Sequence, residues 1–343
     1  MDKIDIKSLS KRELEGLLAG LGGERYRSGQ VCRWLYGRGA RSFDEMTDLN
    51  ARLREKLKAK CRITHVSLLD SKRSHADGTT KYLFKLEDSS SIETVFIPEK
   101  SRNTICLSSQ VGCKFGCLFC ASAPFGFVRN LKVSEMLDEV LFVKAHNPGS
   151  RISNIVFMGI GEPFDNYDNV MNAIRALNDK DGFDIGARKI TVSTCGIIPA
   201  MERFAKEGLQ VELSVSLHSA DNATRSKIVP VNKKYPLSDL LEACREYVEA
   251  TNRIITFEYV LIDGVNASEE DAHKLAKLLK GMKCKVNVIA YNQIKAGDYS
   301  APSVEKTALF MRALKGRRIK AMLRKSRGED IDAGCGQLRI SKL

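Results

Sequence analysis

Short apolar strand patterns alternate with amphipathic helical patterns over the last 240 or so residues, and this alternation constrains the fold most strongly. Helical periodicity covers, for example, residues 133–145, 237–250 and 272–280. Repeated strand–helix units favour a parallel sheet. Six or seven units predict an α/β fold built on a partial (β/α) barrel rather than a complete eightfold barrel. The strand patterns cover residues 104–108, 154–158, 189–193, 210–217, 254–261, 285–291 and 320–323.

The repeat of apolar residues changes once in the region before the barrel, from a helical period to a strand period. Ser10 and Glu13 form a capping-box pattern that begins a first helix, a second helix follows Ser28, and Leu53 and Leu57 lie on a third with Asp48 as its cap. From residue 63 the period is two, and a turn signal at 76–78 predicts a hairpin followed by a short strand at 92–97.

These patterns divide the chain into four predicted segments. The stretch after the last strand is rich in glycine, which predicts a mobile segment. The segments are a small helical accessory domain at 1–62, a short β extension at 63–103, the barrel at 104–325 and a tail at 326–343.

The net charge of +13 lies entirely at the two ends of the chain. Residues 1–62 carry 15 Lys and Arg against 9 Asp and Glu, and residues 311–343 carry 10 against 3, whereas the segment between them has 30 of each. A neutral body with basic ends suits a partner that presents phosphates, such as RNA. A generic solubilising surface is the alternative interpretation.

The sequence indicates no membrane segment, because no stretch reaches the roughly 18 uncharged apolar residues of a membrane helix. The first residues also lack the apolar core of a signal peptide, so we expect a cytoplasmic protein. Thiols stay reduced in that compartment, and a cysteine cluster there indicates a metal or catalysis rather than disulfides. The chain has ten cysteines.

Three of these cysteines follow the first barrel strand: Cys113, Cys117 and Cys120, with C-x3-C-x2-C spacing. Structural zinc usually takes four ligands in two pairs, and no further His or Cys occurs within the next twenty residues. Three thiolates suit a [4Fe–4S] cubane better, because they bind three irons and leave the fourth open for a substrate. A zinc site, or no metal, is the alternative.

Other strand ends carry glycine or polar residues. Gly161 and Glu162 follow the second barrel strand, where a glycine allows close backbone approach and a carboxylate accepts from an ammonium. Active sites of such barrels lie at the carboxyl ends of the strands. Further candidates at these ends are Ser193, Ser216, Leu217, His218 and Asn292. An ordinary turn, or a structural histidine, is the alternative at each position.

The chain resembles the RlmN/Cfr group of radical S-adenosylmethionine (SAM) RNA methyltransferases over nearly its whole length. The matching segments are FDEMTDL at 43–49, ETVFIP at 93–98, CLSSQVGC at 106–113, GFVRNL at 126–131, IVPVNKKY at 228–235 and RKSRGEDIDAGCGQL at 324–338. The resemblance implies a [4Fe–4S] cluster on the cysteine triad and a SAM site made by Gly161, Glu162, Ser193, Ser216, Leu217, His218 and Asn292.

The same resemblance implies roles for three more residues. Cys335 matches the cysteine that is methylated by one SAM and carries the methyl group to adenine, a step for which a second SAM supplies the radical. Cys106 matches the thiol that resolves the adduct by forming a disulfide with Cys335. Glu93 matches the proton acceptor, although Cys106 is also a candidate for that step.

The implied activity is methylation of carbon 2 of an adenosine in 23S ribosomal RNA, with an adenosine next to the anticodon of transfer RNA as a second candidate substrate. Methylation at carbon 8, a different radical SAM reaction, and a non-enzymatic zinc RNA-binding protein are the alternatives. We expect a monomer that receives electrons from a donor such as flavodoxin or ferredoxin.

Overall fold

The computed structural model describes residues 3–294 and 298–339. Residues 1–2 of the predicted N-terminal domain, 295–297 of the predicted barrel and 340–343 of the predicted tail lie outside the described residues.

The N-terminal segment is helical, as predicted. Ser10 and Glu13 form the capping box that begins the first helix. The predicted cap of the third helix is wrong: Asn50 accepts from the backbone N–H of Leu53, whereas Asp48 accepts from the Trp34 indole at 2.6 Å. The elements are β1 Ile4–Asp5, α1 Lys11–Gly20, α2 Arg27–Cys32, a π-helical turn Arg33–Arg38, α3 Ala51–Lys60 and β2 Cys61–Arg62.

The predicted hairpin and the strand after it form three antiparallel strands: β3 Ser67–Arg73, β4 Thr80–Lys85 and β5 Ser91–Glu99. They are not a separate layer. Strand β5 pairs antiparallel with the first barrel strand, β6 Arg102–Leu107. The extension therefore continues the barrel sheet at one edge, and within the described ranges the joined sheet has ten strands.

The barrel strands are parallel and neighbour one another in chain order, so the predicted partial barrel is confirmed. The ends of each predicted barrel strand lie within two residues of the ends of an observed strand. A small antiparallel hairpin, β7 Gln110–Gly112 and β8 Phe127–Asn130, holds the cysteine loop. The remaining strands are β9 Asn154–Phe157, β10 Ile190–Thr194, β11 Glu212–Ser216, β12 Ile255–Leu261, β13 Cys284–Ala290 and β14 Ala321–Arg324.

Helices connect the strands and cover the outer face of the sheet, as right-handed crossovers require. The first barrel helix, α4, buries Met136, Leu137 and Val140 against the sheet. The helices are α4 Val133–His146, α5 Tyr167–Asn178, α6 Ile198–Ala205, α7 Asn222–Ile228, α8 Leu237–Thr251, α9 Glu269–Leu278 and α10 Val304–Gly316. Among the helices described, none is both long and apolar enough to cross a bilayer.

The N-terminal segment packs on the barrel through a continuous apolar core, which includes Ile6 and Leu18 as well as Leu137. A buried ion pair joins the two parts. The Lys7 ammonium contacts Asp138 on α4 and the carbonyl of Thr64. Because both side chains of this pair are at most 4% exposed, the N-terminal segment cannot separate from α4 without exposing or unpairing a charge.

Candidate active site

A cavity of about 170 Å³ opens at the carboxyl ends of the barrel strands. This is the place where (β/α) barrels carry their active sites. The cavity is lined by ten of the predicted site residues, one of which lies in the tail. The predicted residues are Cys113, Cys117, Cys120, Gly161, Glu162, Ser193, Ser216, His218 and Asn292, and Cys335 of the tail joins them.

The three cysteines lie in the loop between β7 and β8. The loop is held by its own backbone: the N–H of Cys113 donates to the carbonyl of Gly126 at 2.8 Å, and that of Cys120 to Cys117 at 3.0 Å. In the described part of the chain, no three His, Cys, Asp or Glu side chains converge on a position for a single ion. A cubane needs no such convergence, since each thiolate binds a different iron, and three thiols facing one cavity fit it.

Gly161 brings its backbone close to Gln110 on β7. Its φ is +103°, and a Cβ there would lie 2.6 Å from the Cβ of Gln110, so a larger residue cannot fit without displacement. The neighbouring Glu162 is buried and accepts from the N–H groups of Phe164 at 3.0 Å and Cys195 at 2.7 Å. Burial raises the pKa of Glu162, and these hydrogen bonds oppose the rise.

His218 is a neutral imidazole in this cavity. Burial is the main cause that lowers the pKa of His218 to about 3, with Arg225 adding to the effect. Its Nδ1 accepts from the N–H of Val260 at 3.1 Å, which leaves Nε2 as the protonated nitrogen. The ring also meets Phe119 edge to face, with 4.5 Å between ring centroids. His218 therefore presents a fixed N–H donor to the cavity rather than a titrating base.

Asn292 connects the cavity to the tail. Its amide donates to the carbonyl of Cys335 at 3.0 Å and accepts from the Ser326 hydroxyl at 2.7 Å. Leu217, by contrast, does not line the cavity. It is fully buried in the core. Its N–H donates to the backbone carbonyl of Glu258, and its own carbonyl accepts from the Arg225 guanidinium. The geometry therefore gives no support to a ligand contact by Leu217.

Glu93 and Cys106 lie beside the cavity, beneath the tail. The carboxylate of Glu93 accepts from the N–H of Arg339 at 2.9 Å and lies 3.3 Å from the Lys81 ammonium. Burial raises the pKa of Glu93, and Lys81 opposes the rise. Cys106 is buried in an apolar cluster with Ala333 and Leu338, and burial raises the pKa of this thiol.

The tail is docked in this structure, whereas its glycines predict mobility. The hairpin extension holds its outer part: Gly328 N–H donates to Asp77 at 3.1 Å, and the Lys81 ammonium to the carbonyl of Asp332 at 2.9 Å. The cysteine loop holds its inner part, where Ala121 N–H donates to the carbonyl of Gly336 at 2.7 Å. These contacts place the exposed Cys335 thiol at the cavity wall.

Two charged residues of the wall escaped the sequence analysis, Glu258 on β12 and Arg324 at the end of β14. They form an ion pair at 3.4 Å, and Asn287 donates to the other oxygen of Glu258 at 2.9 Å. The signal for Glu258 was present, because it is the single charged residue in β12, a strand whose other residues are apolar apart from Thr256. No comparable signal marks Arg324, which stands among other basic residues.

Comparisons with known proteins agree with this fold. Residues 107–276 match the Radical SAM superfamily, and residues 4–63 match the ribosomal RNA large subunit methyltransferase N-terminal domain. A probable dual-specificity RNA methyltransferase RlmN of Thermoanaerobacter sp. (strain X514) is 45% identical over 98% of this chain and 97% of its own length.

Two further proteins are equally similar. The dual-specificity RNA methyltransferase RlmN of Syntrophus aciditrophicus (strain SB) is 44% identical over 98% of this chain and 97% of its own. A crystal structure of a radical SAM methyltransferase from Sphaerobacter thermophilus superimposes with a TM-score of 0.93 and 44% identity, covering 98% of this chain and 99% of that one.

Proposed function

Because the chain belongs to the RlmN family of radical SAM RNA methyltransferases, we propose that Cys113, Cys117 and Cys120 hold its [4Fe–4S] cluster and that SAM binds in the cavity beside them. The proposed reaction is methylation of carbon 2 of an adenosine in 23S ribosomal RNA, with an adenosine of transfer RNA as a second candidate substrate, which fits the dual-specificity name of the relatives. The bound cofactors supply radical chemistry, while the chain positions the reacting groups.

One observation carries the site assignment: the triad, six of the seven SAM candidates and Cys335 line the same cavity. The cavity walls offer both hydrogen-bond acceptors and hydrogen-bond donors to a ligand. Glu162 supplies acceptor oxygens for an ammonium, and the imidazole of His218 supplies a donor. Gly161 lets the backbone beside Glu162 pass close to Gln110.

The two cysteines outside the triad have different tasks. Cys335 accepts a methyl group and carries it to the adenine carbon, and the exposed position of its thiol suits this task. Cys106 then attacks the sulfur of Cys335 as a thiolate, so that a disulfide forms and the bond from that sulfur to the methylene carbon breaks. The electron pair of the broken bond stays with that carbon, which takes up a proton and becomes the methyl group of the product. Glu93 is the proposed acceptor of the ring proton, since burial raises its pKa towards the working pH.

The basic ends are proposed to bind RNA phosphates. In the N-terminal segment, Arg38 stacks on Trp34 with 4.0 Å between guanidinium and ring centroid, which adds an aromatic surface that a base could use. We expect the enzyme to work as a monomer in the cytoplasm and to receive electrons from a one-electron carrier such as flavodoxin or ferredoxin.

Two variants test the two-cysteine proposal. We expect Cys335→Ala never to become joined to RNA, because the carrier sulfur is absent. We expect Cys106→Ala to form the carbon–carbon bond and then stall, and so to accumulate with RNA attached through Cys335. Denaturing gels after turnover, followed by peptide mass spectrometry, measure both results.

Cys284→Ala is the matched control, because this half-buried thiol lies on β13 and does not line the cavity. It should methylate RNA at the wild-type rate. If neither active-site variant carries RNA and both still methylate it, the proposed roles of Cys106 and Cys335 are wrong.

A further inference from the structure

Arg225, on α7, is a fully buried cation that the proposed reaction does not use. Its guanidinium donates to four neutral oxygens. Nε donates to the carbonyl of Leu217 at 3.1 Å, and Nη1 to the side-chain oxygen of Asn232 at 2.7 Å. Nη2 donates to the carbonyls of Cys195 at 2.8 Å and Ser216 at 3.1 Å.

No carboxylate neutralises this charge. Across residues 3–294 and 298–339, no Asp or Glu oxygen lies within 4.0 Å of the Arg225 guanidinium. Removing a charge from water without a counter-ion is costly, and neutral hydrogen bonds repay only part of that cost. A buried arginine in such surroundings therefore indicates an anion close by that is not a side-chain carboxylate.

The cysteine loop is the place for that anion. The N–H of Leu118 donates at 3.0 Å to the carbonyl of Ile228, in the helix that carries Arg225. Cys117 packs on the apolar cluster of Ile228 and Val229. Nη2 of Arg225 donates to the carbonyl of Cys195, and Cys195 lines the cavity together with Cys117.

We infer that Arg225 is the counter-charge of the iron–sulfur cluster and makes its reduction easier. This inference rests on the proposed cluster ligands. Reduction adds one electron, taken from a one-electron donor, to a centre that three thiolates already make negative. A fixed positive charge in a dry environment favours the more negative product. Arg225 is thus a positioning and electrostatic residue, which also fixes the carbonyls of Cys195, Ser216 and Leu217 at two neighbouring strand ends.

Replacements that separate charge from hydrogen bonding test the inference. Arg225→Gln removes the charge and Arg225→Lys keeps it, while both lose most of the four hydrogen bonds. With anaerobically reconstituted protein and dithionite as the electron donor, the cluster midpoint potential is measured by electron paramagnetic resonance. We expect the glutamine variant to show an equilibrium constant for reduction about tenfold lower, which is about 59 mV for one electron. The lysine variant should stay within about twofold of wild type, because its charge is retained.

A second pair of variants keeps Arg225 in place, in case its replacement prevents folding. Asn232→Asp puts a carboxylate against Nη1 and should lower the potential in the same direction. Asn232→Ala loses the same amide hydrogen bonds, to Asn222 and Ser226, without adding charge, and should leave the potential unchanged. Equal potentials for wild type, Arg225→Gln and Asn232→Asp would overturn the inference, as would equal losses in the lysine and glutamine variants. A wild-type protein that takes up no cluster would instead refute the proposed function.

Discussion

Glu139→Gln should make the stability of the protein respond differently to pH. Glu139 lies on α4, behind Cys106, and is fully buried. One carboxyl oxygen accepts from the Thr94 hydroxyl and from the N–H of Ser108 at 3.0 Å, and within the described structure the other has no partner. Burial raises the pKa of Glu139 well above its ordinary value. The folded protein therefore holds a proton that the unfolded chain has lost above about pH 4.3.

The sign of the effect follows from that proton. Because the folded-state pKa is raised, wild-type folding requires proton uptake, and its free energy of unfolding falls by about 1.4 kcal/mol for each pH unit above the unfolded pKa. The fall continues until the pH reaches the folded pKa. Glutamine has the same shape and does not titrate. At pH 5 the variant should be less stable, since its amide adds an unsatisfied donor that costs roughly 1 to 3 kcal/mol. The difference should then shift in favour of the variant as the pH rises.

Urea unfolding of the cluster-free protein between pH 5 and pH 6, followed by circular dichroism, measures this difference. The variant should gain about 1.4 kcal/mol relative to wild type over that interval. Glu202→Gln, at an exposed site on α6, controls for the substitution itself and should show no such gain. Parallel pH curves for wild type and Glu139→Gln would refute the reasoning, because they would mean that Glu139 is ionised in the folded protein.

Three further changes test other parts of the structure. Lys7→Met should cost about 3 to 5 kcal/mol in urea unfolding, because it leaves the Asp138 carboxylate buried and unpaired, and adding Asp138→Asn should restore part of the loss. Gly161→Ala should weaken SAM binding in equilibrium dialysis at least about tenfold, with unchanged circular dichroism, because its Cβ would meet Gln110. A third variant removes exposed cations of the N-terminal segment: Arg25→Ala, Arg38→Ala and Arg52→Ala together. It should weaken RNA binding and reduce the slope of the logarithm of the binding constant against the logarithm of the salt concentration by about 0.7 to 0.9 per lost phosphate contact. Arg203→Ala on α6 is the control and should change neither quantity. Equal slopes for the triple variant and wild type would mean that these cations do not contact RNA.

The barrel was predictable because its signals are local. The strand predicted at 254–261 is observed at Ile255–Leu261, a mostly apolar segment that is buried on both faces of a parallel sheet. The cysteine triad was also predictable, since its spacing lies within eight residues of the sequence. Because active sites of such barrels lie at the carboxyl ends of the parallel strands, the remaining polar residues at strand ends could be predicted to share one site with the triad.

Features that depend on distant partners were not predictable. Lys7 and Arg225 are charged residues, which composition alone places at the surface. Lys7 is buried against Asp138, 131 positions away in the chain, and Arg225 is buried among backbone carbonyls of three residues. The misplaced cap is a local example: Asp48 and Asn50 are both good caps by type, and tertiary contact with Trp34 decides between them.

The hydrogen bond from Arg339 to Glu93 has a consequence for substrate binding. While the tail is docked, its backbone amide occupies the carboxylate that is the proposed proton acceptor. An adenine that needs this carboxylate binds productively only to the fraction of molecules in which the end of the tail has moved away. Its apparent dissociation constant is the intrinsic one divided by that fraction, so a tail released about 1% of the time would weaken binding about a hundredfold. The same contact couples the proposed proton acceptor to the position of the tail, since this hydrogen bond breaks only when the chain at Arg339 moves away.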